Sequence, residues 1–185
     1  KQTEANKLGP FEVASRLSYF LWSSMPDHEL FELARNKSIL QPEILKQQVD
    51  RMLKDPKGKA FVEGFAASWL RLDKLGSMPV DRDKFREYYR NGLEEAMTEE
   101  THRFLTHAIQ ANAPLGDFIH SDYSFLNQDL ARHYGIAGVK GLGFRKVSLP
   151  ADGIRGGLLG QASILTLTAN GVDTSPVVRG IWVLE

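Results

Sequence analysis

Six polar residues stand beside strongly apolar runs, where burial makes a charge or an amide costly: Arg16, Glu100, Asn127, Arg132, Arg155 and Arg179. Guanidinium, carboxylate and amide groups bind anions, hold ion pairs and cap helices. In this setting they are read first as structural ion pairs and caps, and second as a candidate binding site. Arg16 lies in a helix that is apolar almost all round. Glu100 lies on the apolar stripe of the longest helix, three residues after Met97 and four before Phe104. Pairing the two is the economical way to bury both charges, with Arg155 or Arg179 nearby.

Other chemistry is less well supported. Glu99-x-x-His102 is the nearest approach to a metal motif, but carboxylate-bridged di-iron bundles use that pair twice and it occurs once here. On a helix, His102 also points about 200° away from Glu100, off the apolar stripe. It reads as a surface histidine, and His107 as a hydrogen-bonded core residue. His28, His120 and His133 have no clustered partners, so no metal site is expected. The absence of cysteine excludes disulfides, thiolate catalysis and covalent haem attachment within these 185 residues. Gly153 to Gly160 matches neither phosphate-binding glycine pattern, and close backbone packing is its expected role. There is no G-x-S-x-G elbow, and Ser163 and Ser175 have no identifiable base.

The elements that must position these residues are helices. Pro10 opens one over 11–24. Asp27 caps a second to about 35, Pro42 opens a third to about Lys54, and Asp55-Pro56 starts a fourth to about Leu72. Asn91 is the expected cap of the longest helix, about 92–111. Ser124 or Asn127 caps a helix reaching Tyr134 and stopped by Gly135. Phe144–Leu149 is the one convincing strand candidate, and SILTLTAN at 163–170 is β-branched enough to be a strand instead of a helix end. Two helices are expected at the end of the chain. Asp152 caps the first, which carries Gly153, Gly156, Gly160 and Ser163 as a bare stripe and stops at Asn170-Gly171. Ser175-Pro176 starts the second. The expected fold is all-α, a multi-helix orthogonal bundle of about seven to nine helices with at most one minor strand pair. It forms a single domain over 1–185, with the first helix central.

The 23 basic and 23 acidic residues cancel, and no basic stripe marks a nucleic-acid partner. Apolar residues at 42% and charged residues at 25% suit a globular domain. No run is long and apolar enough to predict a membrane span. The start KQTEANKLGP has no initiator Met and no signal peptide, and the end IWVLE stops on an apolar run. Both read as cuts from a longer protein.

Three phrases carry a family likeness: ASRLSYFLWSSMPDHEL at 14–30, SDYSFLNQDLARHYG at 121–135 and RGGLLGQASILTLTANGVDTSPVVRGIWVLE at 155–185. Together they resemble a helical domain of unknown function in the large multidomain cytochrome c proteins of planctomycetes and some other bacteria. The likeness covers nearly the whole chain. It departs at Asp173, where family members commonly carry a basic residue before Thr-Ser-Pro. The resemblance implies that 155–185 is the junction to a following haem c domain bearing Cys-x-x-Cys-His, with no cofactor in this stretch itself. It implies an exported protein of the periplasm or cell envelope. The chain would then be a helical scaffold or docking module supporting electron transfer, with the adjacent haem c domain and a redox protein as partners. The alternative is a catalytic domain acting on an envelope or polysaccharide substrate coupled to that haem.

Overall fold

The computed structural model describes residues 8–90, 92–150 and 153–184. The caps expected at Asn91 and Asp152, and the terminal Glu185, lie outside the described residues. The fold is mostly α. Among the described residues there are eight α-helices and one two-stranded antiparallel sheet.

Local chemistry explains most of the boundaries. Helix α1 (Pro10–Trp22) opens on proline, and the Glu12 carboxylate folds back to accept from the Gly9 amide at 2.8 Å. Asp27 caps α2 (His28–Arg35) by accepting from the Leu30 amide at 2.9 Å. Helix α3 (Pro42–Lys54) again starts on proline, and Asp55-Pro56 leads through one 3-10 turn into α4 (Lys59–Leu70). The longest helix, α5, runs Leu93–Gln110. Asn127 caps α6 (Gln128–Tyr134), which Gly135 ends in the left-handed conformation.

The strand expected near Phe144 is β2 (Arg145–Ser148), and its partner is β1 (Tyr123–Leu126). Tyr123 lies opposite Ser148, and Leu126 opposite Arg145. Ser124 therefore belongs to a strand and does not cap a helix.

A larger correction concerns 153–161. These residues do not form an α-helix with a glycine stripe. They run irregularly into one 3-10 turn, and only Ala162–Leu167 is helical, as α7. The glycines still serve close packing. Gly157 has φ +61° and is buried, and a Cβ there would lie 2.5 Å from the carbonyl oxygens of Phe118 and Ile119. A turn through Asn170–Thr174 then leads to α8 (Pro176–Leu184). Asn170 Oδ1 accepts from the amides of Val172 and Asp173 at 3.0 and 2.7 Å.

The chain divides into two compact units at Gly64–Phe65. The first has its own core of Ala14, Leu21, Trp22, Leu30, Ala34, Ile39 and Met52. Trp22 anchors it. Its indole N–H donates to the Met52 carbonyl at 2.9 Å, and its ring lies within 5.3 Å of the Arg51 guanidinium and 4.9 Å of the Lys57 ammonium. The expectation that α1 is buried on all sides fails. Phe11, Tyr19 and Phe20 are exposed, Phe20 by 66%, and only one stripe of α1 enters the core.

The second unit is built around α5. Leu93, Ala96 and Met97 pack with Leu126, Leu130, Ala131 and Ala162. Further along α5, the Phe104 ring stacks on Tyr123 at 5.6 Å. Helix α8 differs from the rest in having no buried residue, and Val177, Ile181, Val183 and Leu184 are all more than half exposed.

Candidate functional site

Glu100 has no solvent exposure. Helix α5 carries it inward because Met97, Thr101 and Phe104 share its face and are buried with it. Strand β1 presents Ser124, whose hydroxyl donates to one carboxylate oxygen at 2.5 Å. The end of α6 presents Tyr134, whose hydroxyl donates to the other oxygen and accepts from the Ala162 amide at 2.7 Å. Desolvation pushes the Glu100 carboxyl up to about 7, against the opposing effects of both hydroxyls and of the Arg155 charge. Burial and the neighbouring carboxylate push the Tyr134 phenol well above its ordinary range.

Arg155 lies over the Tyr134 ring, its guanidinium carbon 3.9 Å from the ring centroid, and donates to the Gly160 carbonyl at 2.9 Å. It also lines a cavity of about 760 Å³ in the second unit, together with Arg179 and His133. Arg179 donates to the Thr168 and Thr174 hydroxyls at 3.1 and 2.9 Å. Burial and the Arg155 charge lower the His133 pKa. Met97, Leu93, Ala162 and Leu165 supply apolar wall. The segment around Val80–Tyr88 forms another side. It is tied to the 170–174 turn by the Asp81 amide to the Gly171 carbonyl at 2.8 Å and by Lys84 to Asp173 at 2.7 Å.

The six candidates thus separate. Glu100 and Arg155 meet around Tyr134, and Arg155 and Arg179 share the cavity wall. Asn127 Oδ1 accepts from the Leu130 amide at 2.9 Å and is a helix cap. Arg132 is exposed and pairs with Asp129 at 3.2 Å. Arg16 belongs to the first unit. It is exposed beside an apolar groove that includes Leu17, Phe20 and Leu45. The economy that argued for pairing Arg16 with Glu100 does not arise, because Arg16 keeps its water and two hydroxyls from the second unit satisfy Glu100.

Ser124, Tyr134 and His133 stand in the sequence only as a possible cap, a helix end and an unclustered histidine, and none of them is a candidate site residue there. Nothing in their spacing marks them, since β1 and α6 meet α5 only through the fold. The same holds for the buried cluster in which Thr101 Oγ1 lies 2.6 Å from Gln161 Oε1 and 2.7 Å from Ser163 Oγ. Glu99 pairs with Arg103 at 2.7 Å. His107 Nε2 lies 2.9 Å from Lys146 Nζ, and its ring packs against Tyr123 and Phe125. Among the described residues, no group of three His, Asp or Glu side chains is placed to hold a metal ion, and no helix is long and apolar enough to cross a membrane.

A family model described as PSD4, Protein of unknown function (DUF1592), matches residues 8–136. This chain belongs to the DUF1592 family. The DUF1592 match spans α1 to α6 and β1, and so includes Glu100, Ser124 and Tyr134. Arg155 and Arg179 lie beyond the matched residues. No curated protein and no solved structure matches the chain.

Proposed function

We propose that this chain is a helical docking module of an exported, multidomain cytochrome c-type protein of the periplasm or envelope, supporting electron transfer by a haem carried outside residues 1–185. The observation that carries this reading is α8. Val177, Ile181, Val183 and Leu184 of one nine-residue helix are exposed by 52–88% and no residue of that helix is buried, which supports a face that another domain covers. The resemblance of residues 155–185 to the junction before a haem c domain supplies the partner. In this reading the adjacent haem domain covers α8, and a separate redox protein docks on the assembly.

The test has two parts. The complete gene is expected to encode Cys-x-x-Cys-His outside these residues. The separately purified haem domain is expected to bind this chain, and Ile181→Glu with Val183→Glu is expected to weaken that binding at least about 10-fold, as loss of buried anchors does. A gene without the haem motif, or binding indifferent to both charges, sinks the reading.

The cavity favours a second reading, a catalytic domain acting on an envelope or polysaccharide substrate coupled to the same haem. The cavity wall also carries Asp83, Glu87, Asp173 and His133, but two of the carboxylates are held in ion pairs, Glu87 with Arg90 and Asp173 with Lys84, which suits binding better than bond cleavage. Turnover of an oligosaccharide by the complete protein, abolished by Leu165→Trp in the cavity wall, would put this reading first.

A further inference from the structure

We propose that the cavity beside α5 and α7 is a binding site for an organic anion: a carboxylate or phosphate head on an apolar body. This does not rest on the docking reading. The charges around the cavity are unequally matched. Its three acidic lining residues are Asp83, Glu87 and Asp173. Glu87 is paired with Arg90 at 3.1 Å and Asp173 with Lys84 at 2.7 Å. Arg155 and Arg179 have no carboxylate partner among the described residues. Each is held by neutral oxygens, Arg155 by the Gly160 carbonyl and Arg179 by the Thr168 and Thr174 hydroxyls. Those bonds fix the guanidiniums without neutralising them and leave N–H groups of each fork unused. A rigid, unneutralised guanidinium on a cavity wall is the arrangement that recognises a planar carboxylate or a phosphate in two-point fashion.

Two further observations limit the ligand. Glu100 is near enough for its charge to interact with Arg155, but its oxygens are taken by Ser124 and Tyr134 and it forms no ion pair there. Arg155 therefore remains available to an outside anion. The rest of the wall is apolar, with Met97, Leu93, Ala162 and Leu165, and the volume of about 760 Å³ exceeds that of a bare inorganic ion many times over. Small-molecule sites commonly span about 300–1,000 Å³ and combine such walls with a few fixed polar groups. A free phosphate would leave the wall uncovered. A neutral lipid would leave both guanidiniums unmatched.

Calorimetric titration of the whole chain with octanoate, octyl phosphate, octanol and inorganic phosphate tests this. Octanoate and octyl phosphate are expected to bind saturably, and whichever is tighter names the head group. Octanol and inorganic phosphate are each expected to bind at least about 10-fold more weakly, the loss that follows from removing one charge-assisted contact set. Arg179→Met is expected to weaken octanoate about 10- to 100-fold. Arg155 also packs on Tyr134, so Arg155→Lys serves there. It keeps a cation and loses the fork, and a several-fold loss is expected with the far-UV spectrum unchanged. Octanol binding as tightly as octanoate, no saturable heat from either anion, or octanoate binding unchanged in both variants would overturn the proposal.

Discussion

Glu100 has lost all contact with water, and the hydroxyls of Ser124 and Tyr134 take its place. With its carboxyl raised from 4.5 to about 7, the pH dependence has a definite sign. Below about pH 4.5 the group is neutral folded and unfolded alike. Between there and about 7 the unfolded chain gives up the proton and the folded chain keeps it. The folded state then binds more protons, so stability falls as pH rises through that window, by up to about 3 kcal/mol. Glu100→Gln is expected to flatten this slope, and urea melts at pH 5, 6, 7 and 8 measure it. Wild type and variant with parallel profiles would remove the buried carboxyl from the account. Glu100→Ala leaves two hydroxyls unmatched beside a void and is expected to cost about 2–4 kcal/mol. Arg16→Ala changes an exposed side chain and is expected to stay within about 0.5 kcal/mol in the same melts.

At the scale of elements, the caps and prolines were the legible part. Asp27, Pro42, Asn127 and Ser175-Pro176 mark helix starts by local bonding, and local bonding can be read from neighbours in sequence. β1 was not legible. Four residues, Tyr-Ser-Phe-Leu, are too few to show alternation, and their partners lie 19 residues or more away. The failure at 153–161 has a different cause. Glycines at helical spacing suggested a helix, but Gly157 uses its freedom for a positive φ against two carbonyls, a tertiary demand. For the site, the sequence supplied Glu100, Arg155 and Arg179 as polar residues in apolar company. It could not supply Ser124 and Tyr134, which reach Glu100 only after β1 and α6 pack on α5. Gly157→Ala is expected to cost at least about 2 kcal/mol, whereas Gly180→Ala, in α8 with open space at its Cβ, is expected to stabilise by about 0.5–1 kcal/mol. Thermal melts of the two variants compare them, and equal effects would contradict the packing described at Gly157.

At the scale of the whole molecule, each unit carries its own core, and the order within the second unit is uneven. Helix α5 is lined with buried residues from Leu93 to Ala108, while α8 has none. Amide hydrogen exchange is expected to be fast throughout α8 and slowest in the middle of α5. Comparable protection in the two helices would mean that α8 is covered in solution. The three tryptophans give the two units separate optical signatures, with Trp22 alone in the first and Trp69 and the half-buried Trp182 in the second. Trp22 is 4% exposed in the first unit, shut in by backbone and two cationic side chains, whereas Trp69 in the second is 51% exposed. Trp22 should therefore emit at the blue edge of the fluorescence spectrum and resist quenching, most of all by caesium, which Arg51 and Lys57 repel. Trp69 should emit further to the red and be quenched readily. A titration of caesium against the intact chain would then bleach most of the light of the second unit while leaving that of Trp22, whose later shift to the red would report the loss of the first core by colour alone.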